Sequence, residues 1–345
     1  MIPDTARPGQ RVLVTGGAGY VGSILTPKLL AAGHAVTVLD TLWYGREPLA
    51  PVADHPGFTL VQADLRDTVE VRRILTEGAF DAVIHLAAIS NDPSSELDAD
   101  LTREVNLVAL ERLFVAAKQA GVRRLLYASS ASVYGIKQTP DVTEDLALDP
   151  ITLYARYKAE GEQVLQGLLD DRFCGVAVRA ATVCGWSPRL RLDLTINILT
   201  SHGINNRVIR VFGGDQQRPN VHIEDLTDFY AALLTSPREL IQGQAFNLCR
   251  SNATVMDLAR MIQGELGEGV KIDVVPTDDN RSYHLSAAKV DRVLGFRAQR
   301  SLVQAVRDLR GAFQAGRVPS WGDAWYRNVA WMKADPQLCR WDGLI

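Results

Sequence analysis

Tyr154 and Lys158 are the residues of this 345-residue chain whose types and spacing most directly suggest bond-breaking chemistry. Four apart on a helix, they share one face and their heads can meet near a single ligand. A tyrosine hydroxyl ordinarily titrates at about 10. A neighbouring ammonium and an oxidised nicotinamide both favour the phenolate, which makes the tyrosine a usable base near neutral pH. A solvated surface pair is the blander reading and the commoner one at this spacing, so the pair needs support from elsewhere in the chain.

Support comes from a phosphate-binding pattern. Thr15-Gly16-Gly17-Ala18-Gly19-Tyr20-Val21-Gly22 fits both G-x-x-G-x-x-G and G-x-G-x-x-G. It sits between a β-branched run, Arg11 to Val14, and a helical stretch from Ser23 to Ala32 closed by Gly33. Strand, glycine loop and helix together make a dinucleotide site of a motif that is weak alone. One glycine lets the chain turn, one lets backbone approach a pyrophosphate, and one lets helix pack on strand. The helix N-terminus then offers N–H groups and partial positive charge to the anion. No Lys-Ser/Thr follows, which excludes a P-loop. Asp40 ends the next strand, where an acid accepts from ribose hydroxyls and repels a 2′-phosphate, so NAD is the expected cofactor. Thr41-Leu42-Trp43-Tyr44-Gly45 follows and is placed to cover the adenosine end.

The elements that carry these residues alternate. Ala35–Leu39, Phe58–Gln62, Ala82–Leu86 and Arg124–Ser130 read as further strands, with a long helix over about 101–120 stopped by Gly121. Such alternation implies an α/β doubly wound parallel sheet. Ligands bind at the C-terminal ends of its strands, which is where Asp64, Leu65, Leu86, Ala87 and Ala88 fall. Asp64 is either an adenine contact or the cap of the helix beginning near Thr68. His85 reads as buried structure and His34 as surface. Asp149-Pro150 reads as N-cap and first turn of the helix that carries Tyr154.

A net charge of −3, with 47% hydrophobic and 22% charged residues, gives no case for nucleic acid or an anionic membrane as partner. No apolar run reaches the roughly 18 residues of a membrane span, and residues 1–10 lack a signal peptide's apolar core. Cysteines 174, 184, 249 and 339 have no zinc spacing, so no metal is expected. They read as reduced thiols of a cytoplasmic protein.

Together these features resemble the extended short-chain dehydrogenase/reductase family, in its NAD-dependent nucleotide-sugar epimerase/dehydratase branch and its UDP-glucose 4-epimerase-like members. The resemblance rests on the 15–22 loop, Asp40, Asp64-Leu65, His85-Leu86-Ala87-Ala88, Asn106, Ser129 to Gly135 and Tyr154-x-x-x-Lys158. Arg179, Arg218 to Asp225 and Arg281 fall where the family has its substrate-lobe signatures. It implies a Rossmann-type sheet with a smaller C-terminal substrate lobe. The NAD-binding unit would be 1–180 with about 221–248, the lobe about 181–220 and 249–316, and 317–345 a Trp-rich extension.

By the same resemblance Tyr154 is the base, Lys158 orients the nicotinamide ribose and lowers the tyrosine pKa, and Ser130 bonds the reacting hydroxyl. Gly16, Gly19, Tyr20, Val21, Gly22, Asp40, Tyr44, Gly45, Asp64, Leu65, Leu86, Ala87, Ala88 and Asn106 complete the cofactor set. Arg218 and Arg281 would grip a substrate diphosphate; Asp225 would hold backbone. Many relatives have an Asn where this chain has Thr182 and a Tyr where it has Cys184; Arg189 and Arg191 are candidates to replace the lost contact, and Ser130, Ser132, Thr182 and Asn197 complete the implied substrate set. The implied function is epimerisation of a nucleotide-diphosphate sugar at C4 by a homodimer joined through 101–120 and 153–169. A 4-reductase or oxidoreductase is the alternative, and a non-catalytic NAD-binding regulator a third. Dehydratases of the branch carry Asp and Glu where this chain has Ala131 and Ser132, which disfavours elimination. Beyond about 315 no motif covers Trp321, Trp325, Trp331 and Trp341.

Overall fold

The computed structural model describes residues 9–137, 139, 141–277, 282 and 284–335. Arg281, Cys339 and Trp341 lie outside them. Among the described residues twelve strands form in chain order: β1 (Arg11–Thr15), β2 (Ala35–Asp40), β3 (Phe58–Gln62), β4 (Ala82–His85), β5 (Arg124–Ser130), β6 (Cys174–Ala180), β7 (Thr182–Cys184), β8 (Val208–Phe212), β9 (Gln217–His222), β10 (Gln244–Leu248), β11 (Ser251–Thr254) and β12 (Lys271–Val275). Seven of them make one parallel sheet in the order β10-β6-β5-β4-β1-β2-β3. The chain runs outward from β1 in both directions, and the crevice between the C-terminal ends of β1 and β4 is the switch point of a Rossmann-like sheet.

The sheet is covered on both faces, which is why its central strands are apolar without alternation. Val12, Leu13 and Val14 have no exposed surface. On one face Val12, Val14, Val36 and Val38 meet the helices Gly22–Ala31 and Ile223–Thr235 through Leu25, Leu29, Phe229 and Leu233. On the other, Leu13, Leu39, Val83 and Leu125 meet Thr68–Gly78, Leu110–Gln119 and Leu153–Leu168.

Several local expectations are corrected. The helix carrying Tyr154 starts at Leu153, and its N-cap is Thr152, whose Oγ1 accepts from the Ala155 N–H at 3.2 Å; Asp149-Pro150 only leads into it. Asp67, not Asp64, caps the helix at Thr68 by accepting from the Glu70 N–H at 3.0 Å. His34 is buried at 6% exposure between the first helix and β2, and burial pulls its pKa down. The long helix over 101–120 is interrupted: Ala99–Arg103 and Leu110–Gln119 are α-helical, but Glu104–Ala109 is a π turn. Such a turn re-aims a side chain. Here Asn106 accepts from the Ile89 N–H at 2.8 Å and donates to the Ile89 carbonyl at 2.9 Å.

The other strands form a three-stranded sheet (β11-β9-β7) and a parallel pair (β12-β8). Helices Thr195–Asn206, Val255–Leu266 and Leu302–Gln314 close over β8 in a separate apolar cluster that includes Ile196, Ile209, Leu258, Ile262 and Val306. Among the described residues, no helix is long and apolar enough to cross a membrane.

Candidate active site

A cavity of about 960 Å³ opens at the C-terminal edge of the parallel sheet. The glycine loop forms its floor. Gly16 adopts φ +74°, and a Cβ there would come within 2.7 Å of the Ala87 backbone nitrogen, so only glycine lets the loop lie against residues 86–88. Gly22 opens the first helix so close to Gly17 that an added Cβ would meet its Cα at 2.4 Å. The helix N-terminus thereby reaches the cavity, which suits a phosphate group. Asp40 follows at the end of β2, its Oδ2 accepting from the Ala18 N–H and its Oδ1 from the Leu42 N–H, both at 2.9 Å. Burial raises the Asp40 pKa, and those two donors oppose the shift. A carboxylate has about four acceptor positions, so two remain for ribose hydroxyls. The loop, the helix terminus and this acid are a donor and acceptor set that fits a dinucleotide.

The cavity brings together Gly16, Gly19, Tyr20, Val21, Gly22, Asp40, Tyr44, Asp64, Leu65, Leu86, Ala87 and Ala88 from the cofactor set. Ser130, Ser132, Tyr154, Lys158, Thr182, Arg189, Arg191 and Arg218 line it as well. Gly45, Asn106 and Asn197 do not. Gly45 makes a turn at φ +82°. Asn106 bonds the backbone of Ile89, which lines the cavity. Asn197 is fully buried and structural, accepting from the Gly185 N–H at 3.0 Å and donating to the Tyr20 hydroxyl at 3.1 Å and the Arg191 carbonyl at 2.8 Å. These bonds tie it to Tyr20, Gly185 and Arg191 beside the cavity.

Tyr154 projects into the cavity from the first turn of its helix, beside Ser130 at the end of β5. Burial pushes the Tyr154 pKa up to about 12, and Asp92 adds to the rise; Arg191 and a hydrogen bond with Ser130 pull it down. Lys158 is buried one turn on. Its Nζ donates to the Ala128 carbonyl at 2.7 Å and lies 5.7 Å from the Tyr154 ring centre. Burial pulls its pKa down to about 7, against the carboxylate of Glu162. The Ser130 hydroxyl accepts from the Ser132 N–H at 3.2 Å and the Ser132 hydroxyl at 2.9 Å. His85 is structural, as expected: its Nδ1 meets the Thr15 hydroxyl at 2.7 Å, and burial pulls its pKa to about 3.

The arginines have distinct surroundings. Arg191 pairs with Asp193 at 2.9 Å and donates to the Ser90 hydroxyl at 3.2 Å. Arg189 is 1% exposed, bonded to the Leu190 carbonyl and to Asn328, and stacked 3.8 Å over the Tyr44 ring. Arg218, on β9, donates to the Gln217 carbonyl at 3.2 Å. Arg179 stays out of the cavity in a buried pair with Glu162 at 2.6 Å. Asp225 holds backbone, accepting from the Arg300 N–H at 2.8 Å.

The sequence reading missed Ser90, Asn91, Asp92 and Asp193, and the cavity-lining part of the extension, Arg327 to Ala330 and Lys333. Asn91-Asp92-Pro93 had a usable signal: a turn-forming run directly after a buried strand. The tryptophans of the extension mark it for packing onto the body but not where it docks, because its contacts lie far away in the chain.

The family model described as the NAD dependent epimerase/dehydratase family matches residues 12–249. A UDP-glucose 4-epimerase of Mycolicibacterium smegmatis is 32% identical over 305 residues, 86% of this chain and 96% of that protein. One from Lactobacillus helveticus is 31% identical over 276 residues, 74% of this chain and 82% of that protein. The solved UDP-glucose 4-epimerase of Thermus thermophilus in complex with NAD superposes at TM-score 0.76 with 26% identity, covering 88% of this chain and 99% of that one. A dTDP-glucose 4,6-dehydratase of Streptomyces venezuelae, solved with NAD bound, does so at 0.79 with 27% identity, covering 89% and 98%.

Proposed function

The chain belongs to the NAD dependent epimerase/dehydratase family, with NAD as its cofactor, and on that premise we propose that it inverts C4 of a nucleotide-diphosphate sugar through a transient 4-keto sugar. One observation carries the reading: Ser130, Tyr154 and Lys158 converge on the cavity, while the two positions after Ser130 hold neither an acid nor a base. Tyr154 takes the C4 hydroxyl proton and later returns it. Ser130, bonded to Tyr154, holds that hydroxyl in line, and the nearby Arg191 charge favours the phenolate. NAD supplies the two-electron acceptor and gives the electrons back, so no net cofactor is consumed. The cation of Arg218 holds the sugar's diphosphate while the ring turns over, the geometry that suits bidentate arginine.

In this reading residues 1–180 with about 221–248 bind NAD, and about 181–220 and 249–316 bind the sugar nucleotide. Two copies pair through the helices near 101–120 and 153–169, so sedimentation at micromolar concentration should show a dimer, and a monomer would remove that part. The names of the sequence relatives support UDP-hexoses as first substrates. The test is proton NMR of UDP-glucose, UDP-galactose and their N-acetyl and dTDP counterparts with the purified enzyme. Interconversion of a C4 pair with no accumulation of reduced cofactor is expected. Absence of turnover on every sugar nucleotide would overturn the proposal.

A further inference from the structure

We propose that residues 321–333 belong to the dinucleotide site, as a clasp that holds the 41–45 loop over the adenosine half of NAD. The loop follows Asp40 directly, and its Trp43 and Tyr44 line the same cavity as the glycine turn. It needs outside support. Leu42 adopts φ +60°, a left-handed backbone that a branched side chain takes only when its surroundings impose it.

The extension supplies that support at successive points. The Trp325 indole N–H donates to the Tyr44 carbonyl at 2.9 Å, and the Trp331 indole N–H donates to the Trp43 carbonyl at 2.8 Å. Between these two bonds, the Arg189 guanidinium lies 3.8 Å from the Tyr44 ring centre and 5.1 Å from that of Trp325. A buried cation stacked on rings in this way is held more strongly than an exposed one. Its Nη2 donates to Asn328 Oδ1 at 2.7 Å, and the Asn328 N–H donates to Asp193 at 3.0 Å. The clasp is therefore tied to the loop after β2 and to the segment that carries Arg191.

Residues 321–333 lie beyond 12–249, the span that the family model matches. The effect of the clasp is on release: NAD cannot leave past Tyr44 until the loop swings out, and that breaks both indole bonds and the guanidinium stack. The inference rests on NAD as cofactor and not on which sugar is inverted.

The test is a Trp325→Phe/Trp331→Phe double variant, which keeps the aromatic packing and removes both N–H donors. NAD affinity of the stripped protein is measured by titration calorimetry, NAD release from the holoenzyme by dilution, and thermal stability with and without NAD. We expect NAD to bind about tenfold more weakly or worse and to leave faster, as two lost hydrogen bonds imply. The melting temperature should fall more with NAD than without it. Asn328→Ala, which unties Arg189, should move affinity the same way, and it stands as the test if the double variant does not fold. Unchanged NAD affinity, or an equal loss of thermal stability with and without NAD, would overturn the proposal.

Discussion

Lys158 aims its ammonium at the Ala128 carbonyl, 2.7 Å away, and lies 5.7 Å from the centre of the Tyr154 ring. The two residues share a helix face, yet burial acts on them in opposite senses. It pushes the phenol pKa up to about 12 and the ammonium pKa down to about 7. Each neutral form is favoured because each charge would sit in a poorly solvated wall.

For Lys158 this has a consequence for stability. The ordinary lysine value is 10.5, so between about 7 and 10.5 the unfolded chain holds a proton that the native state has released. Stability therefore rises with pH across that window, and the penalty is fully present below it, with a slope of at most about 1.4 kcal/mol per pH unit. Lys158→Met should lose this slope. Urea midpoints of the NAD-free protein at pH 7, 8 and 9 will show it, and parallel pH trends in the two proteins would refute the assignment.

Tyr154→Phe removes one hydroxyl and little volume. The variant should fold and bind NAD as the native protein does, with turnover lower by about 10²- to 10⁴-fold, the usual loss for a general base. Its KM should change little, since the hydroxyl acts on the proton in flight more than on binding. A rate within a few-fold of native would move the base elsewhere.

Asp40→Ala should weaken NAD by about tenfold or more and narrow its preference over NADP. Ribose hydroxyls lose an acceptor and a 2′-phosphate loses a repeller. The Ala18 and Leu42 N–H groups also lose their common anchor. Calorimetric titration of both cofactors decides the matter. Comparable affinities in the native protein would strip Asp40 of this role.

What could be read beforehand follows from range. The strands were legible because burial on both sheet faces leaves continuous apolar runs such as Val12 to Val14. Tyr154 and Lys158 were legible because helical spacing is local. Helix starts were less so: Asp149 and Thr152 are both competent caps, and the loop's path to Asp92, whose Oδ1 accepts from the Thr152 hydroxyl at 2.7 Å, selects the second. His34 read as exposed because nothing local shows that the turn folds against β2. The docking of Trp325 on Tyr44 joins residues 281 positions apart, and no periodic pattern encodes such a contact.

Reaction type provides the remaining prediction, and it turns on which carboxyl groups the cavity can spare. Elimination across C5 and C6 needs an acid for the leaving hydroxyl and a base for the C5 proton. Ala131 has no proton to give and is 1% exposed. Ser132 donates its hydroxyl to Ser130 at 2.9 Å. Among the described residues four carboxylates line the cavity, and each accepts from or pairs with a neighbouring protein group. Asp40 binds two backbone N–H groups, and Asp64 pairs with Arg66 at 2.7 Å. Asp92 accepts from Thr152 and Asp193 pairs with Arg191. On the proposed reading, ketone formation at C4 asks only for Tyr154 and the cofactor, whereas elimination asks for an acid and a base besides. We predict that dTDP-glucose and UDP-glucose yield no 4-keto-6-deoxy sugar and that C5 takes up deuterium from D2O slowly or not at all. The dehydrated product, or rapid exchange at C5, would overturn the epimerase proposal and put the chain with the dehydratases whose fold it shares.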